Sequence, residues 1–179
     1  MTIESFIRVM PKVELNLQFE GALRKETLLL IAEQNDIAES LKHFHQWVAL
    51  LNQPDPKRID DIVRTVSAWP QLPEDLTRLV YDLGVVLAKQ NVRYAEISIN
   101  PTLYMENLTF EQFLTAINDG RDRAARGWGV QMGWVLAIPR DQPRRADDFL
   151  RWATSAAAKK GGVVGIGLTG PENVQPAGQ

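Results

Sequence analysis

The chain has 179 residues, no cysteine, a net charge of −2, 45% hydrophobic residues and 23% charged ones. These figures fit one globular domain with a real core, and they exclude disulfides, cysteine–zinc sites and thiol nucleophiles. A slightly acidic balance offers no basic surface to nucleic acid or to an anionic membrane.

No apolar run approaches the roughly 20 residues of a membrane span. The opening Met1-Thr2-Ile3-Glu4-Ser5 lacks the basic-then-apolar layout of a signal peptide. A cytoplasmic protein is the expectation, with neither nucleic acid nor membrane as a partner.

Four short segments read as strands: 12–19, 92–100, 130–138 and 163–169. Between the first two, helical patterns run over 26–33, 38–51, 56–69 and 74–90. In the last of these, Leu76, Leu79, Val80, Leu83, Val86 and Leu87 form one apolar stripe. Thr109 is a cap-like residue opening a helix to about Gly127. Another helix spans 144–160 and stops at Gly161-Gly162. Strands alternating with helices predict parallel strands joined by crossovers.

The strand faces sharpen the pattern. Glu14, Asn16 and Gln18 are expected on one side of the first strand, with Leu15, Leu17 and Phe19 on the other. In the second, Tyr94, Glu96, Ser98 and Asn100 oppose Ala95, Ile97 and Ile99. The polar sides are expected to line a barrel interior, and the apolar sides to pack under helices.

Other chemistry-bearing residues have plainer readings. His43 and His45 are spaced i, i+2 on a helical pattern, so they do not face each other and read as surface residues. Glu96 and Glu14 read as structural carboxylates. The cluster Arg140, Arg144, Arg145 and Arg151 is interleaved with Asp141, Asp147 and Asp148, as on a solvated helix face. Gly161, Gly162, Gly165, Gly167 and Gly170 run through and past a strand, which is not the layout of a phosphate-binding fingerprint.

Three segments carry a family resemblance. Pro11-Lys12-Val13-Glu14-Leu15-Asn16-Leu17-Gln18-Phe19-Glu20-Gly21 resembles the first barrel strand of the adenosine deaminase family, Pro-Lys-x-Glu-Leu-His-x-His-x-Asp/Glu-Gly. Val92 to Pro101 resembles its Val-x-Tyr-x-Glu-x-Arg-x-x-Pro strand. Val163 to Glu172 resembles its Val-Val-Gly-x-Asp-Leu-x-Gly-Asp-Glu. The three occur in the family's order and cover nearly the whole chain.

The resemblance implies a metal-dependent barrel that hydrolyses the exocyclic amino group of purines. In that family the two first-strand histidines hold zinc, which lowers the pKa of a bound water. Here those positions are Asn16 and Gln18, Ser98 replaces the strand-two arginine, Gly167 the fourth-strand aspartate and Pro171 an acidic residue. The family's remaining site residues come from the second half of its barrel. Glu20 and Gly170 match positions that in relatives contact the ribose hydroxyl and the purine ring.

The expected fold is therefore α/β, a parallel (βα) half of a TIM-type barrel with about four strands. It would form one domain over 1–170, followed by a loop or tail over 171–179. The expected protein has lost its metal site, with no catalytic residue, no cofactor, and Asn16 and Gln18 as degenerate ligand positions. It would be a non-catalytic half-barrel acting through self-association or protein binding, as a homo-oligomer or with a complementary half-barrel chain. The alternative is the N-terminal part of a zinc-dependent purine deaminase completed by a partner chain. A third reading is a purine-nucleoside-binding module that keeps Glu20 and Gly170 without turnover.

Overall fold

A computed structural model of the chain describes residues 2–142 and 146–170. The expected tail over 171–179, and Arg144 and Arg145 of the charge cluster, lie outside the described residues. Four strands form one parallel sheet in the order β1 (Lys12–Gln18), β2 (Val92–Ile99), β3 (Gln131–Pro139) and β4 (Val163–Thr169). Each strand pairs with its sequence neighbour. This is the order of a (βα) barrel opened between strands.

The segment between β1 and β2 contains α2 (Phe19–Ala22), α3 (Lys25–Gln34), α4 (Ile37–Ser40), α5 (Phe44–Asn52), α6 (Ile59–Ser67) and α7 (Pro73–Lys89). Helix α8 (Phe110–Trp128) joins β2 to β3, and α9 (Ala146–Ala153) and α10 (Ala156–Lys160) lead to β4. A short helix, α1 (Ile3–Val9), precedes β1 and buries no residue.

The core sits between the sheet and its helices. Ala95, Ile97 and Ile99 of β2 meet Leu136 and Ile138 of β3, all buried, under the stripe of α7 and Phe113 and Ile117 of α8. Helices α7 and α8 approach closely at two small residues. A Cβ at Gly84 would lie 2.5 Å from the Ala124 Cβ, and one at Gly120 would lie 2.5 Å from the Thr77 carbonyl oxygen. Two polar anchors fix the helices further. The Asp75 carboxylate accepts hydrogen bonds from Asn35 Nδ2 and from the N–H groups of Gln71 and Leu72, at 2.8, 3.0 and 3.1 Å. Trp134 Nε1 donates to Asn118 Oδ1 at 3.0 Å.

Three sequence expectations are corrected. The helical pattern over 38–51 is broken into α4 and α5, because Leu41 turns extended and His43 adopts φ 67°. The pattern over 144–160 is interrupted before α10, where Ser155 becomes an N-cap that accepts from the Ala158 N–H. In β1, Glu14 does not share a face with Gln18. Glu14 pairs with Ala95 and Gln18 with Ser98, and Ala95 and Ser98 lie on opposite faces of β2 because side chains alternate. The register slips between Glu14 and Leu17, where Asn16 adopts φ 60°. Asn tolerates the left-handed region because its short polar side chain meets little steric penalty there.

Candidate functional site

Strand β1 ends by sending Phe19 into the core, and the first turn of α2 sets Glu20 beneath the carboxyl end of β2. Glu20 Oε1 accepts the backbone N–H of Asn100 at 3.2 Å, tying the two strand ends together. The Asn100 side chain turns the chain into the following 3-10 turn (Pro101–Leu103), accepting from Thr102 N–H at 3.1 Å and Thr102 Oγ1 at 2.7 Å. That turn delivers Tyr104 edge-on to the Phe19 ring, with centroids 6.5 Å apart.

Glu20, half-buried, then lies beside the buried Tyr104. Burial pushes the Glu20 carboxyl up to about 7, although the Glu20 and Asn100 N–H groups and Tyr104 pull the other way. Burial, followed by the charge of Glu20, holds the Tyr104 phenol well above its ordinary range, with the Ser67 hydroxyl beside it. A carboxyl poised near neutrality can donate or accept a hydrogen bond, depending on pH.

Glu20 opens onto a cleft of about 290 Å³ at the carboxyl ends of the strands, where parallel α/β sheets carry their ligand sites. Asp60 and Arg64 of α6, Asn100, Asp141 and Gly170 also line it. Arg64 Nη2 and Asp141 Oδ2 meet at 2.8 Å, joining α6 to the segment after β3. Gly170 has φ 98°, a backbone angle that disfavours any side chain. The structure thus brings together the two sequence-predicted ligand residues, Glu20 and Gly170, which are far apart in the chain.

Asn16 and Gln18 are not among the residues that line this cleft. Gln18 Nε2 donates to Asn16 Oδ1 at 3.3 Å, so the two amides satisfy each other and both remain exposed. Zinc sites are built from imidazole, thiolate and carboxylate, and these neutral amides do not fit one. Among the described residues, no three His, Cys, Asp or Glu side chains converge to hold a metal ion. His43 and His45 are exposed on either side of the start of α5. Glu96 is half-buried and accepts the Tyr94 hydroxyl at 3.1 Å, as a structural carboxylate would.

Sequence reasoning missed Tyr104, Asp60, Arg64 and Asp141. Each reaches the Glu20 region through packing, and no local spacing signals it. A larger groove of about 1030 Å³ lies along α7 and α8, beside Arg78, Asp119 and Arg123. Its charged walls are largely paired within themselves, with Arg78 to Gln34 and Arg123 to Asp119.

The family model described as adenosine deaminase matches residues 11–179. The chain belongs to the adenosine deaminase family. It is 27% identical to the aminodeoxyfutalosine deaminase of Streptomyces coelicolor over 95% of this chain and 44% of that protein. With the adenosine deaminase of Shewanella woodyi it shares 24% identity, over 92% of this chain and 51% of that protein. Among solved structures, an amidohydrolase from Burkholderia ambifaria with bound zinc superimposes with a TM-score of 0.83 at 27% identity. That match covers 99% of this chain and 49% of the other. The adenine deaminase of Arthrobacter aurescens shares the fold at a TM-score of 0.76 and 22% identity.

The chain spans about half the length of the curated relatives it matches, and it corresponds to the N-terminal half of this metal-dependent deaminase fold. Among the described residues no helix is long and apolar enough to cross a membrane.

Proposed function

We propose that this chain is a non-hydrolysing adenosine-deaminase-like half-barrel. It keeps groups for recognising a purine nucleoside and acts through association with another chain. One observation carries the reading: the two first-strand positions that hold metal in the family are amides hydrogen-bonded to each other, Gln18 to Asn16. Amide oxygens bind zinc far more weakly than imidazoles. A cysteine-free chain fits a cytoplasmic setting.

Retention of the Glu20–Gly170 cleft favours a second reading, in which the chain is the N-terminal part of a zinc-dependent purine deaminase completed by a partner. The aminodeoxyfutalosine and adenosine deaminases it resembles are about twice its length.

Metal analysis after dialysis, coupled to an ammonia assay with adenosine, separates the two. Zinc far below one per chain and no ammonia are expected. One zinc per chain with ammonia released, alone or after a complementary half is added, would overturn the non-hydrolysing reading. Calorimetric titration with adenosine tests the retained cleft, and absence of heat would remove ligand binding from the proposal.

A further inference from the structure

Two buried hydroxyls stand behind the cleft at Glu20. Tyr104 and Ser67 are 2% and 1% exposed, and neither hydroxyl makes a fully formed hydrogen bond among the described residues. A buried polar group left unpaired is costly, so each calls for an explanation. The Tyr104 phenol lies beside both the Ser67 hydroxyl and the Glu20 carboxyl. The three groups come from separate elements. Ser67 ends α6, Glu20 sits in the first turn of α2, and Tyr104 follows the 3-10 turn. Of the three, Glu20 alone lines the cleft.

They differ in freedom. The Tyr104 ring packs against Phe19 and Phe113, with centroids 6.5 and 5.8 Å away, so its hydroxyl has a fixed position. The Glu20 side chain is long, and its terminal torsion is soft. The Asn100 N–H, at 3.2 Å, holds one carboxyl oxygen and leaves the carboxyl plane free to turn about it. A second hydrogen bond from a rigid donor removes that freedom. Asn100 also builds the turn that returns Tyr104 to Glu20, so one segment, 100–104, reaches the carboxyl from both of its ends.

We propose that Tyr104 and Ser67 are positioning residues for Glu20: Ser67 donates to the phenol oxygen, the phenol donates to the carboxyl, and the carboxyl is held with its exposed edge toward a ligand in the cleft. A hydroxyl can donate and accept at once, so this chain pairs both buried hydroxyls. Through Ser67 it also reaches α6, whose Asp60 and Arg64 line the same cleft. The positioning itself stands on these contacts, while its use by a purine nucleoside rests on the function proposed above.

Amide hydrogen exchange at Asn100, followed by NMR at a single pH, tests the positioning without any ligand. Tyr104→Phe keeps the ring and deletes the hydroxyl, and it should speed Asn100 exchange by about three- to tenfold, as loss of one hydrogen bond allows. Ser67→Ala should act in the same direction and less. In a Glu20→Ala background Tyr104→Phe should add nothing, because its effect passes through the carboxyl. A phenol that merely shaped the turn would disturb Asn100 in both backgrounds. Tyr94→Phe, which removes a hydroxyl donated to Glu96, should leave Asn100 as in wild type. Far-ultraviolet circular dichroism checks that the variants stay folded. Equal effects of Tyr104→Phe in the two backgrounds would overturn the proposal, as would unchanged exchange in folded Tyr104→Phe and Ser67→Ala. Calorimetric titration then reads the consequence for the cleft, where the Kd for adenosine should rise about three- to tenfold in Tyr104→Phe. An unchanged Kd beside faster Asn100 exchange would overturn the role toward the ligand. A wild type that binds no adenosine would remove the ligand reading, and the Asn100 result would still decide the positioning, so the two can fail separately.

Discussion

Replacing Glu20 by glutamine should make the protein less sensitive to pH and more stable above neutrality. Burial raises the Glu20 carboxyl from 4.5 to about 7. Below pH 4.5 the carboxyl is protonated in both folded and unfolded chains, and it imposes no penalty. Between 4.5 and 7 the unfolded chain has released its proton while the folded chain keeps it, so stability falls as pH rises. Above 7 the loss is complete. At 1.36 kcal/mol for each pKa unit the full loss is about 3 kcal/mol, an order-of-magnitude figure. Glutamine has no charge to desolvate, and its amide oxygen can still accept the Asn100 N–H that Glu20 accepts. The Glu20→Gln variant should therefore match wild type within about 1 kcal/mol near pH 4.5 and exceed it by about 2–3 kcal/mol at pH 8. Urea unfolding followed by the fluorescence of the five tryptophans reads this directly. With a slope of about 2 kcal/mol per molar, the midpoint at pH 8 should rise by about 1 M or more. An equal loss of stability at both pH values would refute the reasoning, because it would mean that the folded carboxyl is ionised and makes a bond the amide cannot replace.

Other substitutions probe the packing and the Asn16–Gln18 pair. Gly120→Ala should cost about 1–3 kcal/mol in urea unfolding, because its Cβ would lie 2.5 Å from the Thr77 carbonyl and 2.8 Å from the Val80 Cβ. Gly127→Ala, on the same helix with nothing within 4 Å, should instead stabilise by about 0.5–1 kcal/mol. Asp75→Ala should cost about 3 kcal/mol or more, since it strands the Asn35, Gln71 and Leu72 donors. The pair Asn16→His and Gln18→His should raise zinc retention against a competing chelator above wild type without releasing ammonia from adenosine. Failure to gain any zinc would mean that the β1 register no longer presents these positions as a pair.

Much of the fold can be read directly from residue periodicity. All four strands fall within one residue of the sequence boundaries at each end, because alternation in Val92 to Asn100 and the Gly161-Gly162 stop before β4 are local signals. The α7 stripe is legible for the same reason. Helix α1 is not, since seven residues without a buried position carry no packing period. The β1 slip is invisible to alternation because a single left-handed residue, Asn16, reassigns every side chain before it. Glu20 and Gly170 were legible as ligand residues only through the family resemblance. Tyr104 was not legible at all, because the 3-10 turn that brings it beside Glu20 is set by Asn100 and the packing of Phe19.

At β1 and on the inner face, the departures from the family's sequence pattern all remove a charge or an imidazole. Ser98 is buried at the β2 position paired with Gln18, where the family carries an arginine. Gly167 stands at the family's β4 aspartate, paired with Ala137 of β3. Two charged side chains and two imidazoles are thus replaced by a hydroxyl, a hydrogen and two amides. A barrel interior must be filled by side chains or by a ligand. On this face the small residues Ser98, Gly133, Ala137, Gly165 and Gly167 alternate with larger ones: a Cβ at Gly133 would lie 3.1 Å from the Tyr94 hydroxyl and from Val164, and one at Gly165 would lie 3.5 Å from Val135. Near these positions, Glu20 keeps a carboxyl that burial raises to about 7.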